Sequence, residues 1–188
     1  KSKSLNSPYL NLIKDLNVNP LPENLSVRAN IERQFEKTVY SNQNGEQPNF
    51  QKYFYFDRNY SLKWALANSL SLDYSSRAHS VVDEPDGDID TQEKYDEVMD
   101  NVKNLGRLKN FDQNVGLTYR LPFDKFPFSD WINSDYRYTA GYSWAAGSLI
   151  NPTEEDSIDL FFGHTIQNNR TQGLTGKFDL VKLYNKVK

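Results

Sequence analysis

The sequence predicts an all-β fold built from antiparallel, up-and-down strands, and three observations carry that prediction. Apolar residues recur with a period of two over long stretches, where a helix would space them at 3.6. The stretches are long, roughly 13–16 residues against a usual 5–6 in globular proteins. Long polar links alternate with short or compact ones along the chain, as in a succession of hairpins.

In chain order, residues 1–24 form a lead-in. Leu10, Leu12, Ile13 and Leu16 suit a short helix or turn, which Asn19-Pro20-Leu21-Pro22 ends before the first strand. Leu25, Val27, Ala29 and Ile31 then alternate with Ser26, Arg28, Asn30 and Glu32, and the apolar parity resumes at Phe35 and Val39. The second strand places Phe54, Phe56, Tyr60, Leu62, Trp64 and Leu66 on one face, opposite Asp57, Asn59, Ser61, Lys63 and Ala65. A tight turn at Ala67–Ser69 leads to the third strand, where Leu70, Leu72 and Tyr74 face away from Ser71, Asp73, Ser75 and Arg77. Phe111, Val115, Leu117, Tyr119 and Leu121 mark the fourth strand. Tyr136, Tyr138, Ala140, Tyr142, Trp144 and Ala146 mark the fifth. A sixth run, from about Leu160 to Phe178, is polar on both faces at its centre, Gln167-Asn168-Asn169-Arg170, as expected of a strand covered by protein. Six strands in three hairpins thus occupy 25–178, with long loops at 41–52, 83–106 and 147–159. The second loop is acidic and carries a short helix around Gln92–Asn104, whereas Pro122–Trp131 is a compact Pro-rich link. Residues 179–188 change period and predict a short amphipathic helix.

Composition narrows the function classes. In 188 residues only 37% are apolar and the mean hydropathy is -0.77, yet 14% are aromatic, which argues against a plain disordered segment. Lys and Arg total 22 and Asp and Glu 25, a net charge of -3, so no overall attraction to nucleic acid or an anionic membrane surface follows. The absence of cysteine excludes disulfides and thiolate metal sites. No apolar run approaches the roughly 18 residues of a membrane-crossing helix. Lys1 and Lys188 read as cut ends, so a piece of a longer chain is expected.

Catalytic chemistry finds no foothold. No Gly-x-Ser-x-Gly, His-Glu-x-x-His or phosphate-binding loop occurs. His79 and His164 stand on different strands with no evident carboxylate or thiol partner and read as polar residues near strand ends. Asp86, Asp88, Asp90 and Glu97 copy four positions of a calcium loop, but Thr91 stands where that loop needs Gly and Glu93 where it takes an apolar residue. A solvated acidic loop is the expectation there, with weak calcium binding as the other reading. Glu154-Glu155 and Asp83-Glu84 sit in loops, away from any glycosidase geometry. The aromatics share a face with Leu, Val and Ala and the cations lie opposite, which suits packing or lipid contact better than base stacking.

Two architectures fit such faces. A soluble β-sandwich would press the apolar faces together. An outer-membrane barrel would turn them to lipid, with Tyr, Phe and Trp near strand ends as an interfacial girdle, polar residues towards a hydrated lumen, and long loops on one side only. Six strands are fewer than the 8 of the smallest such barrels, so in that case the chain is a sector of a larger wall.

Several phrases, in their order and spacing, resemble one family. They are Asn19-Pro20-Leu21-Pro22 before a strand, Tyr53-Phe54-Tyr55-Phe56-Asp57-Arg58-Asn59-Tyr60-Ser61-Leu62-Lys63-Trp64, and Leu70-Ser71-Leu72-Asp73-Tyr74. Leu121-Pro122-Phe123-Asp124-Lys125-Phe126-Pro127, then Trp131, and finally Lys182-Leu183-Tyr184-Asn185-Lys186 complete the set. From about Leu16 onward the chain is similar to the SprA/Sov family, the very large outer-membrane translocon of the type IX secretion system in Bacteroidetes. The resemblance implies a giant single-chain barrel in the outer membrane of a Gram-negative bacterium. Folded proteins would pass through it to the cell surface, with a link to gliding motility in some members. It implies as partners the rest of the same barrel chain, other outer-membrane and periplasmic secretion proteins (a plug and a barrel-type shuttle among them), secreted protein substrates and outer-membrane lipid. It implies neither an enzyme nor a cofactor nor a nucleic-acid partner.

On this reading the strand phases place Arg28, Asn30, Asn59, Lys63, Asp73, Arg77, Asp112, Asn114, Arg120 and Arg137 on the pore. They place Leu62, Trp64, Leu72, Leu117, Tyr142 and Trp144 towards lipid, and Arg58, on that same face, near the membrane edge. A different outer-membrane barrel, such as a nutrient transporter, and a soluble β-sandwich acting as a surface binding module are the competing expectations.

Overall fold

The computed structural model describes residues 18–41, 48–126, 128–147, 149–150, 160–161 and 163–187. Its strands and helices are β1 (Asn24–Thr38), β2 (Asn49–Ala67), β3 (Leu70–Val81), α1 (Gln92–Lys103), β4 (Arg107–Leu121), β5 (Ile132–Ala145), the two-residue β6 (Leu149–Ile150) and β7 (Leu160–Phe161), β8 (Thr165–Phe178) and α2 (Leu180–Val187). The long strands form one open six-stranded antiparallel sheet in the order β1-β2-β3-β4-β5-β8, each neighbour in sequence being its neighbour in space. The expected up-and-down arrangement is therefore what the chain adopts. The helix expected in the acidic insertion, the turn at Asn68-Ser69 and the C-terminal helix are present.

Two boundaries move. β2 begins at Asn49, because Phe50 and Lys52 pair with Lys37 and Phe35, so the first loop ends earlier than residue 52. The sixth run does not start at Leu160. Leu160–Phe161 pair instead with Leu149–Ile150 in a separate small ladder, and β8 begins at Thr165. The helix expected over Leu10–Leu16 and most of the loop at 147–159 lie outside the described residues.

Strict pairing turns the period-two pattern into two faces. One cross-strand row runs Leu25, Leu62, Tyr74, Val115, Ala140 and Arg170; its immediate neighbour runs Ser26, Ser61, Ser75, Asn114, Gly141 and Asn169. No second sheet covers the apolar face among the described residues. Leu25 is 67% exposed, Val27 63% and Ile31 53%, and every residue of the edge strands β1 and β8 is exposed.

Among the described residues the one core sits at the loop end of the apolar face, where the acidic insertion folds back. Phe54, Phe56, Val82 and Val98 are buried together, with Ile89 and Val102 packed against them. Thr91 caps α1 by accepting from the Lys94 amide. At its other end Leu105 and Gly106 turn left-handed, with φ of 65° and 68°. Gly106 is required twice over, because a Cβ there would lie 2.8 Å from the Val81 carbonyl oxygen.

Candidate functional site: the polar face of the sheet

The register places the ten residues expected on the pore side on one face. Arg28, Asn59, Arg77 and Asp112 form one row, continued by Ser143 and Gln167. Lys63 stands opposite Asp73, Asn30 opposite Asp57, Asn114 opposite Gly141, Arg137 opposite Thr118, and Arg120 opposite Asp135. Cations and carboxylates are thus interspersed rather than blocked by sign. The six residues expected towards lipid, Leu62, Trp64, Leu72, Leu117, Tyr142 and Trp144, all lie on the other face, with Trp64, Leu72 and Leu117 in a single row.

The polar face is shallow and lined by small groups. One depression of about 480 Å³ runs over Lys63, Asp73, Asn114, Gly116, Thr139 and Gly141. A second of about 580 Å³ lies over Asp112, Ser143, Gln167 and Asn169. Gly141 decides the shape of both: a Cβ there would overlap Asn169 Oδ1 and come within 2.8 Å of Asn114 Oδ1. Two carboxamides therefore fold flat over the glycine.

His79 departs from the expectation that it has no carboxylate partner. Its Nδ1 lies 2.8 Å from Asp57 Oδ1, and its ring lies 5.1 Å from that of Tyr55. Asp57 and His79 are direct cross-strand partners, a relation that period-two reading of each strand alone does not reveal. His79 borders a further depression of about 370 Å³ shared with Arg77, Asn110 and Asp112. A hydrogen-bonded pair between strands orders the sheet; it supplies no third group for metal or nucleophilic chemistry, and the described residues hold no cluster of three metal-ligating side chains.

Two of the four calcium-like carboxylates are engaged by lysines. Asp88 pairs with Lys37 at 2.6 Å, and the Lys94 ammonium donates to the Asp88 carbonyl at 2.9 Å and to Asp90 at 3.1 Å. Glu97, the fourth of the set, sits on α1. The Lys94 contact also holds the Asp90 carboxyl below its usual range. Further straps fasten the insertion to the sheet. Arg33 grips Glu84 through two guanidinium nitrogens, Arg107 grips Asp83 at 2.8 and 2.7 Å, and Lys52 donates to the Pro85 carbonyl at 2.7 Å. The bidentate contact with Arg107 depresses the Asp83 carboxyl.

A scan against protein-family models and a search of curated proteins both found no match. No helix among the described residues is long and apolar enough to cross a membrane, a fact without bearing on a barrel.

Proposed function

We propose that this chain is a sector of the wall of an outer-membrane β-barrel of the type IX translocon kind, its polar face lining a channel through which proteins are exported. The observation that carries the reading is the open sheet itself. Six strands of 12 to 19 residues form one layer, with an exposed apolar face and both edges unpaired among the described residues. In water such a face and such edges invite aggregation, whereas lipid and further strands satisfy both.

The dimensions support it. Below the self-covered core, the outward rows run from that of Ala29, Arg58, Phe111 and Trp144 to that of Leu70, Tyr119, Tyr136 and Leu174. Nine residues from border to border, eight rises of about 3.4 Å tilted by about 35–45°, stand about 19–22 Å tall, close to the about 25 Å of the apolar band of such barrels. Arg58 lies mid-strand in β2 yet at the upper border of this band. Its Nη2 donates to the fully buried Ser80 hydroxyl at 2.9 Å and its guanidinium lies 5.4 Å from the Phe56 ring. The polar face suits a conduit: mixed in charge and floored with Ser, Thr, Asn and Gly, it offers a passing protein no continuous sticky surface. The role is that of a passage, neither an enzyme nor a cofactor carrier, with the rest of the barrel chain, secretion-system proteins and exported proteins as partners.

The test is topological. In the full-length protein, lacking other cysteines, Asp86→Cys or Asn68→Cys would be probed on intact cells with a membrane-impermeant maleimide; both native residues are exposed, at opposite ends of the sheet. Labelling at 86 alone, with 68 reacting only after the outer membrane is opened, is the expected result. Labelling of both on intact cells would leave a surface-exposed soluble module.

A further inference from the structure

The C-terminal helix is the second amphipathic element of the chain, and α1 shows what such an element does when its apolar side has a place to go. Val98 of α1 is buried against the sheet, whereas α2 buries none of its residues. Leu180 is 66% exposed, Val181 70%, Tyr184 66% and Val187 81%. At 100° per residue these four, with Leu183, fall on one arc, and Lys182, Asn185 and Lys186 on the other.

The polar arc is the one tied to the protein. Lys182 donates to the Asp130 carbonyl at 2.8 Å, and both Lys182 and Lys186 pair with the Asp130 carboxylate, which these ammonium groups hold below its ordinary range. Asp179 caps the helix by accepting from the Lys182 amide at 3.0 Å, and its own amide donates to the Trp131 carbonyl at 2.8 Å. With its polar side pinned to the turn between β4 and β5, α2 has no rotation that would bury the apolar arc on the described sheet.

The chain enters the helix from the outward face. The Phe178 ring lies over Gly176, which shares a row with Ser134 and Leu121, and stands 5.9 Å from the Trp131 ring. Phe128, 74% exposed, is at the same end. Exposed aromatics beside an apolar arc backed by lysines, at the lower border of a lipid-sized band, have the composition of an interfacial helix.

We infer that α2 is a membrane-surface anchor, lying in the headgroup region of the inner leaflet of the outer membrane with Leu180, Val181, Tyr184 and Val187 among the lipids. The inference rests on the wall reading above and adds a lipid-binding element at the short-turn end. Its occupant is phospholipid rather than a second protein, because the helix's exposed apolar arc follows directly on Phe178, an exposed aromatic of the outward face whose ring meets that of Trp131.

The full-length protein, carrying single cysteines labelled with bimane, would be reconstituted in vesicles of phosphatidylethanolamine and phosphatidylglycerol. Quenching by a nitroxide lipid labelled near its headgroup would be compared with quenching by aqueous iodide. Labels at 181, 184 and 187 should respond at least about twofold more strongly to the lipid quencher than to iodide, and a label at 185 the reverse. Labels at 117 and 142 report the wall independently. If those two feel the lipid quencher while 181, 184 and 187 feel only iodide, or neither agent because protein covers them, the anchor is overturned and the wall stands. If 117 and 142 also escape the lipid quencher, both fall together.

Discussion

From β2 to β5 the outward face carries Trp64, Leu62, Leu72, Tyr74, Leu117, Val115, Tyr138 and Tyr142, whereas on β8 the same face carries Gln172, Arg170 and Asn168 in succession. The two regions share one sheet, one register and one alternation, yet differ in what can lie against them. In the proposed wall an outward arginine at mid-height would cost roughly 2–4 kcal/mol against lipid, with the two carboxamides adding to it. In that wall the middle of β8's outward side, Asn168 to Gln172, is thus no part of the apolar belt, and polar groups of protein would meet it there. Period two tells which side chains share a face; it does not tell what that face touches.

The sharpest way to break the contrast is to make the belt resemble β8. In the proposed wall, Leu117→Arg should lower the stability of the full-length protein by ~2–4 kcal/mol in denaturant unfolding, and Thr118→Arg, one residue along on the polar face, by far less. Equal losses would end the face assignment. Next comes the self-covered patch. Val98→Asp would set a carboxylate among Phe54, Phe56 and Val82, at about 2 kcal/mol or more, and should open residues 83–105 to protease while leaving the strands intact. An insertion as resistant as the native one would show that this core does not hold it.

The reverse exchange sharpens the comparison. Arg170→Leu should shift stability by less than about 1 kcal/mol if, as proposed, that side chain does not face lipid. A gain of the full ~2–4 kcal/mol would mean that β8 faces lipid after all. The smallest effect concerns pH. Asp83 titrates below its unfolded value of about 3.9, so its pairing with Arg107 contributes fully above that pH and is lost as pH falls through the depressed value. Its side chain is 51% exposed, which keeps the contribution under about 1 kcal/mol. Amide protection in residues 82–91, taken relative to the intrinsic exchange rate at each pH, should therefore fall only below about pH 4. A loss of protection near neutral pH would point to another group.

Much of this was legible in the residues themselves. The alternation Leu70, Leu72, Tyr74 against Ser71, Asp73, Ser75 defines a strand and its faces, since side chains of an extended backbone must point to opposite sides. Asn68-Ser69 marks the tight turn, and Gln92–Lys103 a capped helix. The polar and apolar sets expected from phase fall on opposite faces of the sheet, because antiparallel pairing preserves parity from strand to strand. Less of the candidate site's detail could be read that way. The Asp57–His79 pair spans 22 positions and Arg33–Glu84 spans 51, and nothing in local pattern specifies a partner at such distance.

The sequence by itself therefore determined the strands, their two faces and their turns, all consequences of backbone geometry acting over a few residues. Only the tertiary structure decided that the acidic insertion folds back onto Phe54 and Phe56, that lysines pair with its Asp88 and Asp90, and that α2 is pinned by its polar side. Those outcomes depend on which distant groups the register brings within a few ångströms, where burial and charge pairing become strong enough to choose.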